Sequence, residues 1–410
     1  MKLLCLAAAV LLGISTLPCE AQKPKKDREE REPEPVFTNL ALKRLKATVT
    51  TPLFVQQTPG VNSMGNITMT ATAVPMRFSG PVEVTFKPPL GPAGEAALAA
   101  VKKYLRTLHR GWPVGHHVEI TFTYPVAPDD IAAAALGAAV LIDSMIGGWE
   151  ADPSCAVLGA LQADGKVLGV SSALGRLTTS VRAGVSRILV PEKNVTQASD
   201  CMVNEGVAAF GRVQMLSVKD FEEVPQMAAI KLEPNIAEAI KTFAETQKTF
   251  LAAGAGAAEK LKNGDVQEEL REVLQNWPNH VTARLLLGHS VGRYKTFSIQ
   301  GSVEAIDKIA ATLLIGIQSA RPYEVKALPL VKIDEELARL RLAAARLDPQ
   351  AKTYVEQVIR YGEAARVWHV NPPKTTEDFN DLTETLKTAA TIARDERQKL
   401  AAALAKPIVH

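Results

Sequence analysis

The chain lacks the short motifs that mark several large enzyme classes. Its 410 residues contain no Gly-x4-Gly-Lys-Ser/Thr phosphate loop, no His-Glu-x2-His and no Cys-x2-Cys. His116 and His117 begin a predicted strand, where neighbouring side chains face opposite sides, so the two are poorly placed to share one ion. We therefore expect no ATP, no metal and no other cofactor.

Aromatic side chains and net charge are also scarce. Aromatic residues make up 5% of the chain and the formal net charge is +3, which gives no sign of a nucleic-acid partner. Apolar residues at 47% and charged residues at 22% are typical of a soluble globular protein. The length has room for two domains and a tail.

The N-terminus has the pattern of a secretory signal peptide. Lys2 gives a positive start, residues 3–14 form an apolar run, and Cys19-Glu20-Ala21 offers a cleavage site. The run is too short to span a bilayer. We expect residues 1–21 to be removed and the mature protein to be secreted or periplasmic. A lipidated Cys19 is the alternative, although Thr16-Leu17-Pro18 lacks the small residue that such processing needs.

Two cysteines, Cys155 and Cys201, remain once the signal peptide is gone. In an oxidising compartment the pair could form one disulfide. Two buried free thiols are the alternative.

Composition and periodicity divide the mature chain into three regions. Residues 22–60 are predicted to be a charged, proline-rich linker and N-terminal arm, in which residues 36–55 could add a strand. Residues 61–224 alternate strands and helices, whereas residues 225–410 are predicted to form an all-α domain, because strand periodicity stops between about 218 and 232. The middle region is predicted to contain strands over 66–74, 82–86, 118–124, 155–161, 167–170 and 187–190, and helices over 94–108, 129–146 and 174–183.

The end of this middle region carries a family resemblance. Val167-Leu168-Gly169-Val170 is followed by Arg182-Ala183-Gly184-Val185 and then by Ile188-Leu189-Val190-Pro191-Glu192-Lys193-Asn194. The Lon protease domain closes the same stretch with an arginine or glycine before a turn glycine, an apolar strand and Pro-Lys-Glu-Asn. The chain thus resembles Lon-type serine proteases over about residues 61–224. The resemblance implies an α+β domain of the ribosomal protein S5 domain 2-like class, followed here by the all-α domain, and it suggests a homo-oligomer.

Both catalytic positions of that family are replaced. Lon-type proteases use a serine in Asp-Gly-Pro-Ser-Ala-Gly and a lysine in Gly-Gly-x-Lys-Glu-Lys. By position, the motifs fall on Asp130-Ile131-Ala132-Ala133-Ala134-Ala135 and on Ser171-Ser172-Ala173-Leu174-Gly175-Arg176. The nucleophile position is therefore Ala133, the base position is Arg176, and the family's threonine beside the dyad appears as Leu158.

These replacements remove the chemistry of the dyad. Alanine has no hydroxyl to attack a carbonyl, and an arginine side chain keeps its proton in proteins. We expect Arg176 to pair with Asp130 instead, or to bind a ligand carboxylate through its planar fork.

The sequence is compatible with three functions. The first is an exported pseudoprotease, a Lon-like module that binds protein or peptide without an ATPase. The second is an active serine peptidase or other hydrolase that uses Ser171 or Ser172 with Lys166. The nearest match to a nucleophile elbow, Gly169-Val170-Ser171-Ser172-Ala173, lacks the second glycine, so the serine pair has a turn role as its alternative. The third is a structural envelope-assembly protein that binds through its helical domain.

Overall fold

A computed structural model describes residues 38–58 and 61–405 of the chain. The predicted signal peptide and residues 22–37 of the predicted linker lie outside the described residues. Within the described ranges the chain forms eleven strands. They are β1 Thr38–Leu40, β2 Lys46–Thr58, β3 Val61–Pro75, β4 Glu83–Lys87, β5 Gly111–Pro113, β6 His116–Phe122, β7 Cys155–Val157, β8 Ala160–Leu161, β9 Val167–Leu168, β10 Arg187–Pro191 and β11 Gln214–Val218.

The same ranges contain fifteen α-helices, most of them in the C-terminal half. They are α1 Gly91–Leu108, α2 Ala135–Gly147, α3 Ala173–Arg182, α4 Val195–Glu205, α5 Val207–Phe210, α6 Glu223–Ala228, α7 Pro234–Ala253, α8 Ala257–Lys260, α9 Gly264–Asn276, α10 Val281–Ser290, α11 Ile299–Ile309, α12 Ala311–Gln318, α13 Leu330–Ala344, α14 Lys352–Val370 and α15 Thr376–Ala405. The structure is therefore mixed α/β with a mostly helical C-terminal part, as the sequence predicted.

Seven strands form one mixed sheet in the order β11-β10-β7-β2-β3-β6-β4. At its centre, β2 and β3 form a long antiparallel hairpin, from Lys46 opposite Thr72 to Thr58 opposite Val61. Alternate residues of a strand face opposite sides of the sheet, so Met69 of β3 lies in the core while Thr68 and Thr72 of the same strand point outward.

The position of β2 refines the predicted division of the chain. Residues 46–58 belong to the stretch predicted as linker and arm, yet β2 lies in the interior of the sheet between β7 and β3. The sequence left a strand or an arm open for this region, and the structure has a strand here. The sheet therefore begins well before residue 61.

Helix α2 packs against β2 and β3 and forms the centre of the core. A Cβ atom at Gly137 would come within 2.7 Å of Thr51 Oγ1, so glycine permits this close approach. The stretch Asp130–Gly147 is long and apolar enough to cross a membrane by composition, but 89% of it is buried inside the protein, as expected for a core helix. The first turns of the predicted helix are a 3-10 segment, Pro128–Ala134, rather than α-helix.

Strands β7, β10 and β11 run parallel, with Ile188 opposite both Ala156 and Met215. Helix α3, which the sequence predicted over 174–183, lies between β7 and β10, whereas α4, between β10 and β11, and β11 itself were not predicted. The strand predicted over 155–161 is divided into β7 and β8, and β8 forms an antiparallel hairpin with β9 around Asp164-Gly165. Gly165 has φ of 89°, which glycine adopts without strain, and it lies against the ring of Tyr104.

The helical part packs on β11 through buried hydrogen bonds. Thr282 Oγ1 donates to Val213 O and accepts from Met215 N, at 2.8 Å each. His280 is fully buried, which lowers its pKa to about 3, and its ring Nε2 lies 3.1 Å from Gln214 Oε1. The neutral imidazole accepts from the backbone N–H of Ala283 and so caps α10.

Apolar contacts are continuous between the two parts. Phe210 from the strand-rich part and Phe243 and Phe250 from the helical part belong to the same buried cluster. Separate folding of residues 61–224 and 225–410 stays a prediction.

Candidate functional site

The position predicted for a nucleophile lies in the 3-10 segment before α2. Ala133 is only 4% exposed, and Asp130, one turn earlier, is 6% exposed. Leu158, after β7, is fully buried. A substrate could reach none of these three side chains without a local opening of the fold.

Arg176 lies in the first turns of α3, which follows Ser172 in the left-handed conformation with φ of 52°. Its side chain is fully buried, a rare location for arginine. Nη1 donates to Asp130 Oδ2 at 2.9 Å, and Nη2 donates to Asp130 Oδ1. Of the two predicted uses of Arg176, the structure shows the ion pair with Asp130.

Two further donors of the guanidinium reach backbone carbonyls. Nη1 also donates to Pro52 O at 2.7 Å, and Nε donates to Ser171 O at 3.0 Å. The guanidinium carbon lies 5.2 Å from the centre of the Phe54 ring, within the range of a cation–π contact. The buried charge thus has four hydrogen bonds to acceptors and an aromatic ring beside it.

These contacts supply hydrogen bonds to part of one edge of β2. Along two antiparallel strands, residue pairs that share backbone hydrogen bonds alternate with pairs that do not. Leu45 O accepts a hydrogen bond from Ala73 N, so the odd-numbered residues of β2 form the backbone hydrogen bonds to β3. The even residues point their backbone groups at the opposite edge. There Thr50 pairs with β7, Pro52 O accepts from Arg176, and Phe54 N donates to Asp130 Oδ2 at 2.7 Å.

The ion pair therefore occupies the strand edge beyond the point where β7 ends. Asp130 is buried and accepts one hydrogen bond from β2 and two from Arg176, so its carboxylate is held in structural contacts. Arg176 offers no proton acceptor. The arrangement holds three segments of the chain together.

In the described chain, no hydrogen bond joins the substitute residues Ser171, Ser172 and Lys166. Lys166 Nζ lies 2.6 Å from Asp220 Oδ1, and this hydrogen bond raises the pKa of Lys166. A general base needs a lowered lysine pKa, so the shift has the wrong sign. In the described chain neither Ser171 nor Ser172 has a hydroxyl hydrogen bond to Lys166, and both belong to the turn before α3.

The two mature cysteines are free thiols. Cys155 and Cys201 are both buried, and burial raises the pKa of each to about 12. The disulfide alternative is therefore wrong for this structure. A thiol that holds its proton so firmly is a weak nucleophile, so the thiols fit the role of core side chains.

Metal-binding clusters are not found in residues 38–58 and 61–405, where no group of three or more His, Cys, Asp or Glu side chains could hold an ion. His117 Nε2 lies 3.0 Å from Thr85 Oγ1, and His116 Nδ1 lies 3.3 Å from Val114 O, so the two rings have separate partners.

Sequence reasoning missed Pro52 and Phe54 as part of this site. Pro52 lies 124 positions from Arg176 in the chain. Pro52 and Phe54 both fall in the stretch predicted as a linker and arm. The apolar run Pro52-Leu53-Phe54-Val55 was the available signal, because a mobile arm seldom carries four such residues in succession.

Archaeal Lon proteases are similar to this chain over about a quarter of its length. The archaeal Lon protease of Thermoplasma volcanium is 26% identical over 114 residues, which make up 28% of this chain and 16% of that protein. That of Archaeoglobus fulgidus is 26% identical over 108 residues, 26% of this chain and 16% of that protein. The chain spans about a sixth of the length of the curated relatives it matches. No family model matches the chain.

The likeness supports a Lon-like relationship for part of the chain. It does not extend to the whole of those proteases, so their activity is not thereby transferred to this protein.

Proposed function

We propose that this chain is an exported, non-catalytic Lon-like protein that binds protein or peptide. The observation that carries the proposal is the buried Arg176–Asp130 pair at the predicted base position, beside Ala133 at the predicted nucleophile position. Export is supported by the signal-peptide pattern of residues 1–21.

The absence of a dyad accounts for lost catalysis. Hydrolysis through an acyl-enzyme requires a nucleophile and an adjacent base that accepts its proton. Ala133 supplies a methyl group and Arg176 supplies a cation. Loss of a catalytic serine in a serine protease typically lowers kcat by about a millionfold.

A binding role agrees with the scaffold. The mixed sheet with its helices agrees with the fold that the resemblance implies, and the relatives that are similar over part of the chain are proteases, whose substrates are polypeptides. A protein that keeps such a scaffold without the chemistry can still recognise a polypeptide.

The experiment is a degradation assay with the mature chain, residues 22–410. Purified protein should leave fluorescent casein intact over hours, at enzyme concentrations that would reveal even a slow peptidase. The same assay should be run on Ser171→Ala, Ser172→Ala and Lys166→Ala. Cleavage by the unaltered protein that any of these three changes abolishes would show that the protein is a peptidase with substitute residues.

The variant Ala133→Ser with Arg176→Lys provides a second comparison. It restores the residue types of the dyad but removes the bonds from the guanidinium to Pro52 O and Ser171 O. We expect it to fold less stably, so its unfolding curve should be measured beside its activity.

A further inference from the structure

Near its N-terminal end, the edge of β2 that faces away from β3 has a stretch that no neighbouring strand covers in the described chain. β7 pairs with this edge at Thr50, and the chain before β7 turns away, where Ala151 bridges to Ala229. A cavity of about 190 Å³ lies in the gap. It is lined by Arg44, Lys46, Ala47, Thr48, Ser144, Trp149, Glu150 and Ala151.

The backbone of β2 points its polar groups into this gap. The backbone N–H and C=O groups of the even-numbered residues of β2 point away from β3. The same alternation directs the N–H of Phe54 to Asp130. The N–H and C=O groups of Lys46 and Thr48 therefore face the cavity. Further along the same edge, β7, Arg176 and Asp130 complete the hydrogen bonding, so the gap is where this edge is left open.

The walls of the gap are rigid and its rim is basic. The indole N–H of Trp149 donates to Asp143 Oδ2 at 2.7 Å, which fixes the ring. Arg44 pairs with Glu150 at 3.2 Å, and both side chains are partly exposed. Lys46 has no acidic partner in the part of the chain that the structure describes. The rim thus has two cations and one carboxylate.

We propose that this gap binds a short acidic peptide segment in extended form, as an added strand on β2. Strand addition uses the open N–H and C=O groups for affinity and the neighbouring side chains for specificity. An acidic side chain of the peptide would meet Lys46 and compete with Glu150 for Arg44. The small volume limits the segment to a few residues. This inference rests on the proposed function, since it assigns a location to the peptide binding.

The test starts from a display library of random hexapeptides, selected on the mature protein. Selected peptides should be rich in Asp and Glu, and their affinity should be measured by fluorescence anisotropy. Lys46→Glu should weaken binding by about tenfold, because it replaces an attraction with a repulsion. Lys241→Glu, the same change at an exposed position of α7, is the matched control and should leave the affinity unchanged.

Backbone N-methylation separates strand addition from simple charge attraction. In an added strand every second amide bonds to β2, so methylation at one set of alternate positions should abolish binding while methylation at the other set should be tolerated. The assignment would be overturned if the effect of methylation on binding did not alternate along the peptide, or if Lys46→Glu left the affinity unchanged.

Other outcomes separate the gap from the proposed function. Peptides that bind but ignore Lys46 would reject the gap and leave the proposed function standing. Failure to select any peptide would reject both. Self-association that Lys46→Glu abolishes, seen by sedimentation in the absence of peptide, would assign the gap to a second copy of the chain and reject the peptide.

Discussion

Replacement of Arg176 by methionine should destabilise the protein severely. Methionine fills a similar space but leaves the Asp130 carboxylate buried without its cation, and it removes the donors to Pro52 O and Ser171 O. Removal of one partner of a buried ion pair costs about 3–5 kcal/mol. A domain has about 5–15 kcal/mol of stability in total, so the loss is a large fraction of it.

Urea unfolding followed by circular dichroism measures this loss. A double-mutant cycle with Asp130→Asn isolates the pair, because the amide oxygen can still accept from Phe54 N. The double variant should lose less unfolding free energy than the two single variants lose together, by about 1–3 kcal/mol. Arg271→Met, which breaks an exposed pair with Glu268, is the control and should change stability little. A loss below about 1 kcal/mol for Arg176→Met, or strict additivity, would refute this account of the site.

Three further predictions concern other parts of the molecule. Burial raises the pKa of Asp200 to about 6 against 3.8 for the unperturbed group, so the native state binds the proton more tightly and stability from this group falls as pH rises from about 4 to 6. Asp200→Asn should remove this pH-dependent loss of unfolding free energy, which is roughly 2–3 kcal/mol. A difference in unfolding free energy between the unaltered protein and Asp200→Asn that does not change with pH would contradict this prediction. Cys155 and Cys201 should react with a thiol reagent only after unfolding, whereas rapid labelling of the native protein would show that they are accessible. Mass spectrometry of the protein from its source should find a mature chain that starts near Gln22, and intact Met1 on cytoplasmic protein would contradict export.

Periodicity predicted most of the sheet and its helices. Alternation in residues 66–74 predicted the strand that became β3, and the run of alanine and leucine before Gly147-Gly148 predicted the core helix, which Gly148 ends with φ of 82°. These patterns can be recognised in the sequence because each element buries one side or all of its surface, which fixes where its apolar residues occur.

The interior position of β2 was not predictable from its own residues. Pro52 lies in mid-strand, where proline usually indicates an edge or a break. Proline is tolerated here because even residues of β2 point away from β3, so its missing N–H removes no bond from that ladder. Only the register of the folded sheet reveals this.

The candidate site was predicted in part. The pairing of Arg176 with Asp130 was expected from the motif positions, whereas the contacts with Pro52 and Phe54 depend on how distant segments meet. No sequence pattern indicates the gap beside Lys46, because the gap forms where the chain before β7 turns away from β2.

The central claim, a Lon-like scaffold without a working nucleophile, is tested most directly by a fluorophosphonate probe and intact-protein mass spectrometry. We predict that the native mature protein gains no adduct mass, while an active serine peptidase treated in parallel is labelled completely. A stoichiometric adduct that peptide mapping places on Ser171 or Ser172 would contradict the claim.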